Sequence, residues 1–217
     1  FETTATMLDS SAMNIKVRAT YPGNEGGRMR EFMGAQGKNT SAYYRSELTF
    51  QGFPEIKLED LEYENLEDFA NPLKFEANFS AKDAAENLYG LHVMTAPCLD
   101  RGPIPSALLT PQRYRMLDLS QIITVAPVHQ TVTLMFPEGY KLFRTPPPAE
   151  VNSPYGSYRL TFTKIEGGVN IDKYQTFKIT KISPEAYPDF RSFFYQMNKL
   201  DRTKLVFIKE GMKLEIE

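Results

Sequence analysis

Between Leu73 and Ser80 every second residue is apolar: Leu73, Phe75, Ala77 and Phe79 alternate with Lys74, Glu76, Asn78 and Ser80. The same period of two runs through Ile15–Tyr21, where Ile15, Val17, Ala19 and Tyr21 oppose Lys16, Arg18 and Thr20. It returns in Val128–Phe136, with Val128, Val132, Leu134 and Phe136 on one side. Successive side chains of a strand leave opposite faces, so this pattern belongs to antiparallel sheets with one wet side. It restricts most of the chain to a mainly β fold, an antiparallel β-sandwich or a pair of them. Further strands are expected at Thr3–Leu8, Ser157–Phe162, Val169–Ile179 and Leu205–Ile208.

The turns between these runs carry suitable chemistry. Asp9-Ser10-Ser11, Pro137-Glu138-Gly139 and Glu166-Gly167-Gly168 separate apolar-periodic segments, and glycine supplies the positive φ that tight hairpins need. The run Thr145-Pro146-Pro147-Pro148 lacks ladder donors and must be an extended connection or a sheet edge. Helix is confined to a few places. Gly27–Ala35 and Thr40–Leu48 could each form two or three turns near the N-terminus. The clearest helix is Pro184–Leu200, which packs on a sheet: Ser183 offers a cap, Glu185 suits the positive end, and Tyr187, Phe190, Phe193, Phe194, Met197 and Leu200 recur at helical spacing.

The chain has 217 residues, enough to bury a self-sufficient core. The Pro-rich stretch Ala96–Pro111 suggests a division into residues 1–96 and 97–217, two β-regions that can also form one compact unit. A net charge of -2 gives no reason to expect nucleic acid or an anionic membrane as partner, and no apolar run is long enough to span a bilayer. The opening FETTATMLD has neither an initiator Met nor a signal peptide, so it reads as a processing boundary of something longer.

Sites of chemistry are sparse. Nucleophilic catalysis would need Cys98 or a serine beside a base, and the chain has two histidines, His92 and His129. By alternation His129 faces away from Val128 and Val132, and His92 away from Leu91 and Val93; Cys98 sits in the Pro-rich loop, outside any nucleophile motif. The lone cysteine can form no internal disulfide. Glu55, Glu59, Asp60, Glu62, Glu64, Glu67 and Asp68 crowd one stretch in a manner that suits a hard cation. Interleaved Leu58, Leu61, Tyr63, Leu66 and Phe69, and the missing calcium-loop spacing, make a solvated acidic face the plainer reading. Tyr43, Tyr44, Tyr155 and Tyr158 could stack on sugars, although Tyr158 alternates with Leu160 and Phe162 and should be buried. No phosphate loop or zinc spacing occurs. We therefore assign no catalytic, cofactor-binding or metal residues, and no cofactor, from the sequence.

The order of certain short pieces is informative: PQRYRMLDL at Pro111–Leu119, then FPEGY at Phe136–Tyr140, PYGSY at Pro154–Tyr158 and YPDFRSF at Tyr187–Phe193. Together they resemble the β-rich C-terminal region, a domain of unknown function, of exported bacterial transglutaminase-like proteins of the papain-type cysteine protease superfamily. The earlier stretch Asn14–Met33, with IKVRATYPGNEGGRMREFM, looks like the segment that follows their catalytic core. The resemblance implies a periplasmic or extracellular setting and a transglutaminase-like core of the parent chain as partner. It places the family's Cys-His-Asp machinery upstream; Cys98, His92 and His129 fall on no matching motif, and this chain is expected not to be an enzyme by itself. An independent module that binds carbohydrate or peptide, and a cryptic hydrolase, remain the alternatives.

Overall fold

The computed structural model describes residues 1–9, 11–36, 49–50, 53, 55–100, 105–121 and 127–212. The chain runs β1 (Glu2–Met7), β2 (Met13–Tyr21), α1 (Gly23–Gln36), β3 (Thr49–Phe50), β4 (Glu55–Glu64), β5 (Leu73–Lys82), β6 (Glu86–Leu88), β7 (Leu91–Thr95) and β8 (Leu99–Asp100). It continues through β9 (Leu117–Asp118), β10 (Val128–Met135), β11 (Tyr140–Leu142), β12 (Ala149–Ser153), β13 (Gly156–Ile165) and β14 (Gly168–Phe177). The last elements are β15 (Lys181–Ile182), α2 (Tyr187–Asp201) and β16 (Lys204–Lys209). The protein is thus mainly β, with a C-terminal helix on a sheet, as the alternation requires.

One sheet holds eight strands in the order β12-β13-β14-β10-β1-β2-β5-β4, and a smaller one holds β11-β16-β7-β6. Two short pairs, β15-β9 and β3-β8, complete the described ladders. Among the described residues pairing is antiparallel except between β1 and β10, which run parallel from Glu2 opposite Thr131 to Thr6 opposite Met135. Strands from both sides of Ala96–Pro111 enter both of the larger sheets.

The period of two sorts the eight-stranded sheet into a dry and a wet face. Ala5, Ile15, Val17, Ala77, Phe79, Val132, Leu134, Leu160 and Ile171 are buried in one continuous cluster. Their neighbours Thr4, Lys16, Arg18, Glu76, Thr131 and Arg159 point to the other side, in the aligned register of the ladder. The turn between β13 and β14 shows why glycine is needed there. Gly167 takes φ +66°, and a Cβ on Gly168 would stand 2.2 Å from the Leu134 carbonyl oxygen.

Helix α2 closes one end of the dry face. Tyr187, Phe190, Phe193, Phe194 and Met197 are buried along it, and Phe177 of β14 meets the rings of Phe190 and Phe193. The helix starts three residues later than the sequence suggests. Ser183 accepts a hydrogen bond at its Oγ from the Ala186 N–H, so Ser183-Pro184-Glu185 forms a preceding turn, and Pro188 rather than Pro184 occupies the first helical turn. Helix α1 contains the predicted Gly27–Ala35 and extends beyond it on both sides; the predicted Thr40–Leu48 lies outside the described residues.

Candidate functional sites

The most unusual chemistry of the molecule lies on the dry face, where β13, β14 and the end of α2 meet. Lys173 occupies the apolar phase of β14, between Ile171 and Gln175, and is 1% exposed. Its Nζ lies 2.6 Å from Asp201 Oδ1 at the last position of α2. The Tyr158 hydroxyl, on fully buried Tyr158, donates to the same oxygen at 2.7 Å. Burial, and then the Asp201 carboxylate, push the Tyr158 phenol far up, so it remains a donor. Two further polar side chains share this interior: the Gln175 amide approaches Met197 Sδ at 3.6 Å, and Gln130 Nε2 donates to the Leu99 carbonyl at 3.1 Å.

Cys98 belongs to the same corner. It is 7% exposed, and burial pushes its thiol up to about 11, with Lys173 opposing and Asp201 reinforcing the shift. A thiol held that high is protonated at neutral pH and is a poor nucleophile. Its charged neighbours are therefore a lysine and an aspartate, and neither histidine takes the place of a base. His129 lies on the wet face, 57% exposed, with Nε2 2.6 Å from Asp172 Oδ2, and Arg159 reaches the other oxygen of Asp172 at 3.4 Å.

His92 corrects the reading from alternation. It is buried while Leu91 and Val93 are half-buried, because His92 and Met94 form the inward phase of β7. The imidazole stacks on Phe207 at 5.1 Å and meets Tyr140 edge-on at 5.3 Å, so it packs as an aromatic ring in the smaller sheet.

The acidic stretch falls on β4, the edge of the eight-stranded sheet, and on the loop after it. Its carboxylates are distributed among neighbouring partners: Glu59 accepts from Lys57 at 2.6 Å and Ser80 at 2.5 Å, and Glu64 pairs with Lys74 at 3.2 Å. A register shift between Leu58 and Asp60 bends this edge, and bulges with outward charges discourage pairing with another chain. Among the described residues no three His, Cys, Asp or Glu side chains are grouped to hold a metal ion.

A residue the sequence did not mark organises that loop. Arg30, buried on α1, donates from Nη2 to the carbonyls of Asn65, Asp68 and Asn71, each at 2.8 Å, and from Nε to Asn65 at 3.1 Å. It also lies over the Phe69 ring. No local signal marked this role, because Arg30 and Asn65 are 35 residues apart in the chain.

The proposed tyrosine platform does not form from its described members. Tyr158 is core, as its alternation implies, and Tyr155 is half-buried, donating to the Ala186 carbonyl and packing edge-on against Phe190. Tyr43 and Tyr44 lie outside the described residues. A cleft of about 440 Å³ opens instead where β1, β2, β5 and β4 end together. Glu2, Arg18, Thr20, Glu62, Lys74 and Glu76 line it, with Arg18 bound to Glu76 at 2.8 Å.

Comparison with known proteins finds similarity to one family over part of the chain and to one solved structure. The family described as a domain of unknown function with solved structure, DUF3858, matches residues 104–207. That stretch includes Tyr158, Lys173 and Asp201 but not Cys98. No curated protein matches the chain. A crystal structure of a "putative protease" from Parabacteroides distasonis ATCC 8503 is similar at 21% identity and a TM-score of 0.46, over 58% of this chain and 24% of that one. The chain therefore spans about a quarter of the length of that protein. Among the described residues, no helix is long and apolar enough to cross a membrane.

Proposed function

We propose that this chain is a non-catalytic accessory β-region of a larger exported protein with a transglutaminase-like core, against which it packs or for which it presents a binding surface. The observation that carries this reading is the state of Cys98. The thiol is buried, held protonated, and set beside Lys173 and Asp201 instead of a histidine. The ordered pieces from Pro111–Leu119 to Tyr187–Phe193 support the parentage by their resemblance to that family, and a periplasmic or extracellular setting follows from the same resemblance.

The test is to produce the region and the upstream core of the parent gene separately and to titrate one with the other by calorimetry. Saturable association, with peptide or ester turnover confined to the core, is the expected result. Turnover by the region alone that disappears in Cys98→Ala, or an upstream core lacking a Cys-His pair, would overturn the reading.

A second reading, a glycan- or peptide-binding module, rests on the cleft, where hydrogen-bonding side chains from four strands converge. A glycan array with binding lost in Arg18→Ala would favour it. An array without signal would remove its sugar form.

A further inference from the structure

We propose that Lys173 and Asp201 condense to an intramolecular amide, an isopeptide bond that ties the interior of β14 to the end of α2. This modification stands independently of the functional reading above. Its basis is a juxtaposition of three side chains: the Lys173 amine in contact with Asp201 Oδ1 at 2.6 Å, and the Tyr158 hydroxyl on that same oxygen at 2.7 Å. An amine in hydrogen-bond contact with a carboxyl oxygen stands roughly 3–3.5 Å from the carboxyl carbon, the range of a near-attack arrangement.

Regular structure holds both partners in place. Lys173 is paired on either side, opposite Gln130 of β10 and Leu160 of β13. Asp201 ends α2 where the Arg202 and Thr203 N–H groups bond back to Lys199 and Leu200, fixing the turn into β16. Such fixed pairs react as if at very high local concentration, because the entropy of meeting is already lost.

The reaction balances within the chain. A proton passes from the Lys173 ammonium to Oδ2 of the Asp201 carboxylate, giving a free amine and a carboxylic acid. The amine nitrogen attacks Cγ, and the negative charge that develops on Oδ1 is stabilised by the Tyr158 hydroxyl already donating to it. A second proton moves from nitrogen to Oδ2, the Cγ–Oδ2 bond breaks, and one water leaves. The N–C bond is the only bond gained between the two residues, and no oxidant or cofactor takes part. Oδ1 becomes the amide oxygen and keeps Tyr158 as its donor.

Burial gives the direction. The Lys173 ammonium is buried and bears the cost of desolvation, and the Asp201 carboxylate, 16% exposed, bears part of that cost, whereas a single neutral amide avoids both. Tyr158 and Cys98 are titratable groups beside the pair, and burial holds both in their neutral forms.

The test weighs the full chain after it has folded and been denatured. The expected mass is lower than the sequence mass by one water, and a tryptic digest should contain a branched peptide joining the segments that carry Lys173 and Asp201. Lys173→Ala and Asp201→Ala should each restore the full mass, and Tyr158→Phe should slow the loss of water in freshly folded protein. If either alanine variant fails to fold, the branched peptide of the unaltered chain decides alone. A chain that unfolds cooperatively yet carries the full sequence mass overturns the proposal, as does water loss that persists in both folded alanine variants.

Discussion

Lys16 and Lys173 stand on interior strands of one sheet, β2 and β14, with β1 and β10 between them, yet their surroundings differ in every respect. Lys16 is on the wet face, 39% exposed, and shares Glu76 with Arg18 at 2.5 and 2.8 Å. Lys173 is on the dry face with one carboxylate, one phenol and no water-exposed surface to speak of. On the wet face each charge keeps most of its hydration, so any one partner matters little. On the dry face the Lys173 charge is buried and depends on Asp201, whose removal would leave it stranded. One sheet, through the two phases of its pleat, thus holds both an interchangeable surface lattice and a corner where each group is fixed by the others.

The largest effect is expected at the helix that covers the dry face. Phe190 is fully buried against Tyr155, Phe177 and Phe194. Phe190→Ala should lower stability by about 3–5 kcal/mol in urea titration. A loss below about 1 kcal/mol would mean that α2 does not seal the dry face.

The next effect is a pH dependence peculiar to the buried side. Cys98 is held up to about 11 in the folded chain against an ordinary 9.0. The unfolded chain therefore releases a proton that the native one keeps, and stability should fall as pH rises from 9 towards 11, by about 1.4 kcal/mol per pH unit at most. Cys98→Ala should flatten this alkaline limb. An equally steep limb in that variant would show that the thiol is not buried as described.

The smallest effect belongs to the wet face. Lys16 first, then Arg18, hold the Glu76 carboxyl below its ordinary value of 4.5. What that carboxylate contributes is present above 4.5 and is lost as pH falls through its lower folded-state value. Glu76→Gln should barely shift the urea midpoint at neutral pH, and should differ from the parent chain only by a weaker response to acid. A large neutral-pH loss would place Glu76 in the same class as Asp201.

Much of the scaffold was legible because it follows from local rules. The alternation in Ile15–Tyr21 and Leu73–Ser80 became β2 and β5, the Glu166-Gly167 turn joins β13 to β14, and the Tyr/Phe stripe became the buried side of α2. The buried corner was visible only as an anomaly. In Val169–Phe177 the apolar phase holds Lys173 and Gln175, and in β10 the same phase holds Gln130. Polar residues in the inward phase were the signal, but it names no partner: Asp201 is on a helix, and Tyr158 is on the next strand. His92 misled for a related reason. Leu91 and Val93 are the more apolar neighbours, yet the inward phase of β7 accepts an imidazole because Phe207 and Tyr140 offer it ring faces and edges.

By itself the sequence determined the period of two, and with it a mainly β protein with one wet face, because side-chain direction in a strand depends only on the backbone. It also determined the aromatic helix, because spacing along the chain sets which side chains share a helix face. That the buried Lys173, Tyr158 and Cys98 meet at the half-buried Asp201 follows only from the folded arrangement. That meeting depends on where α2 ends relative to β13 and β14, a distance set by packing between elements far apart in the chain and written in no local pattern.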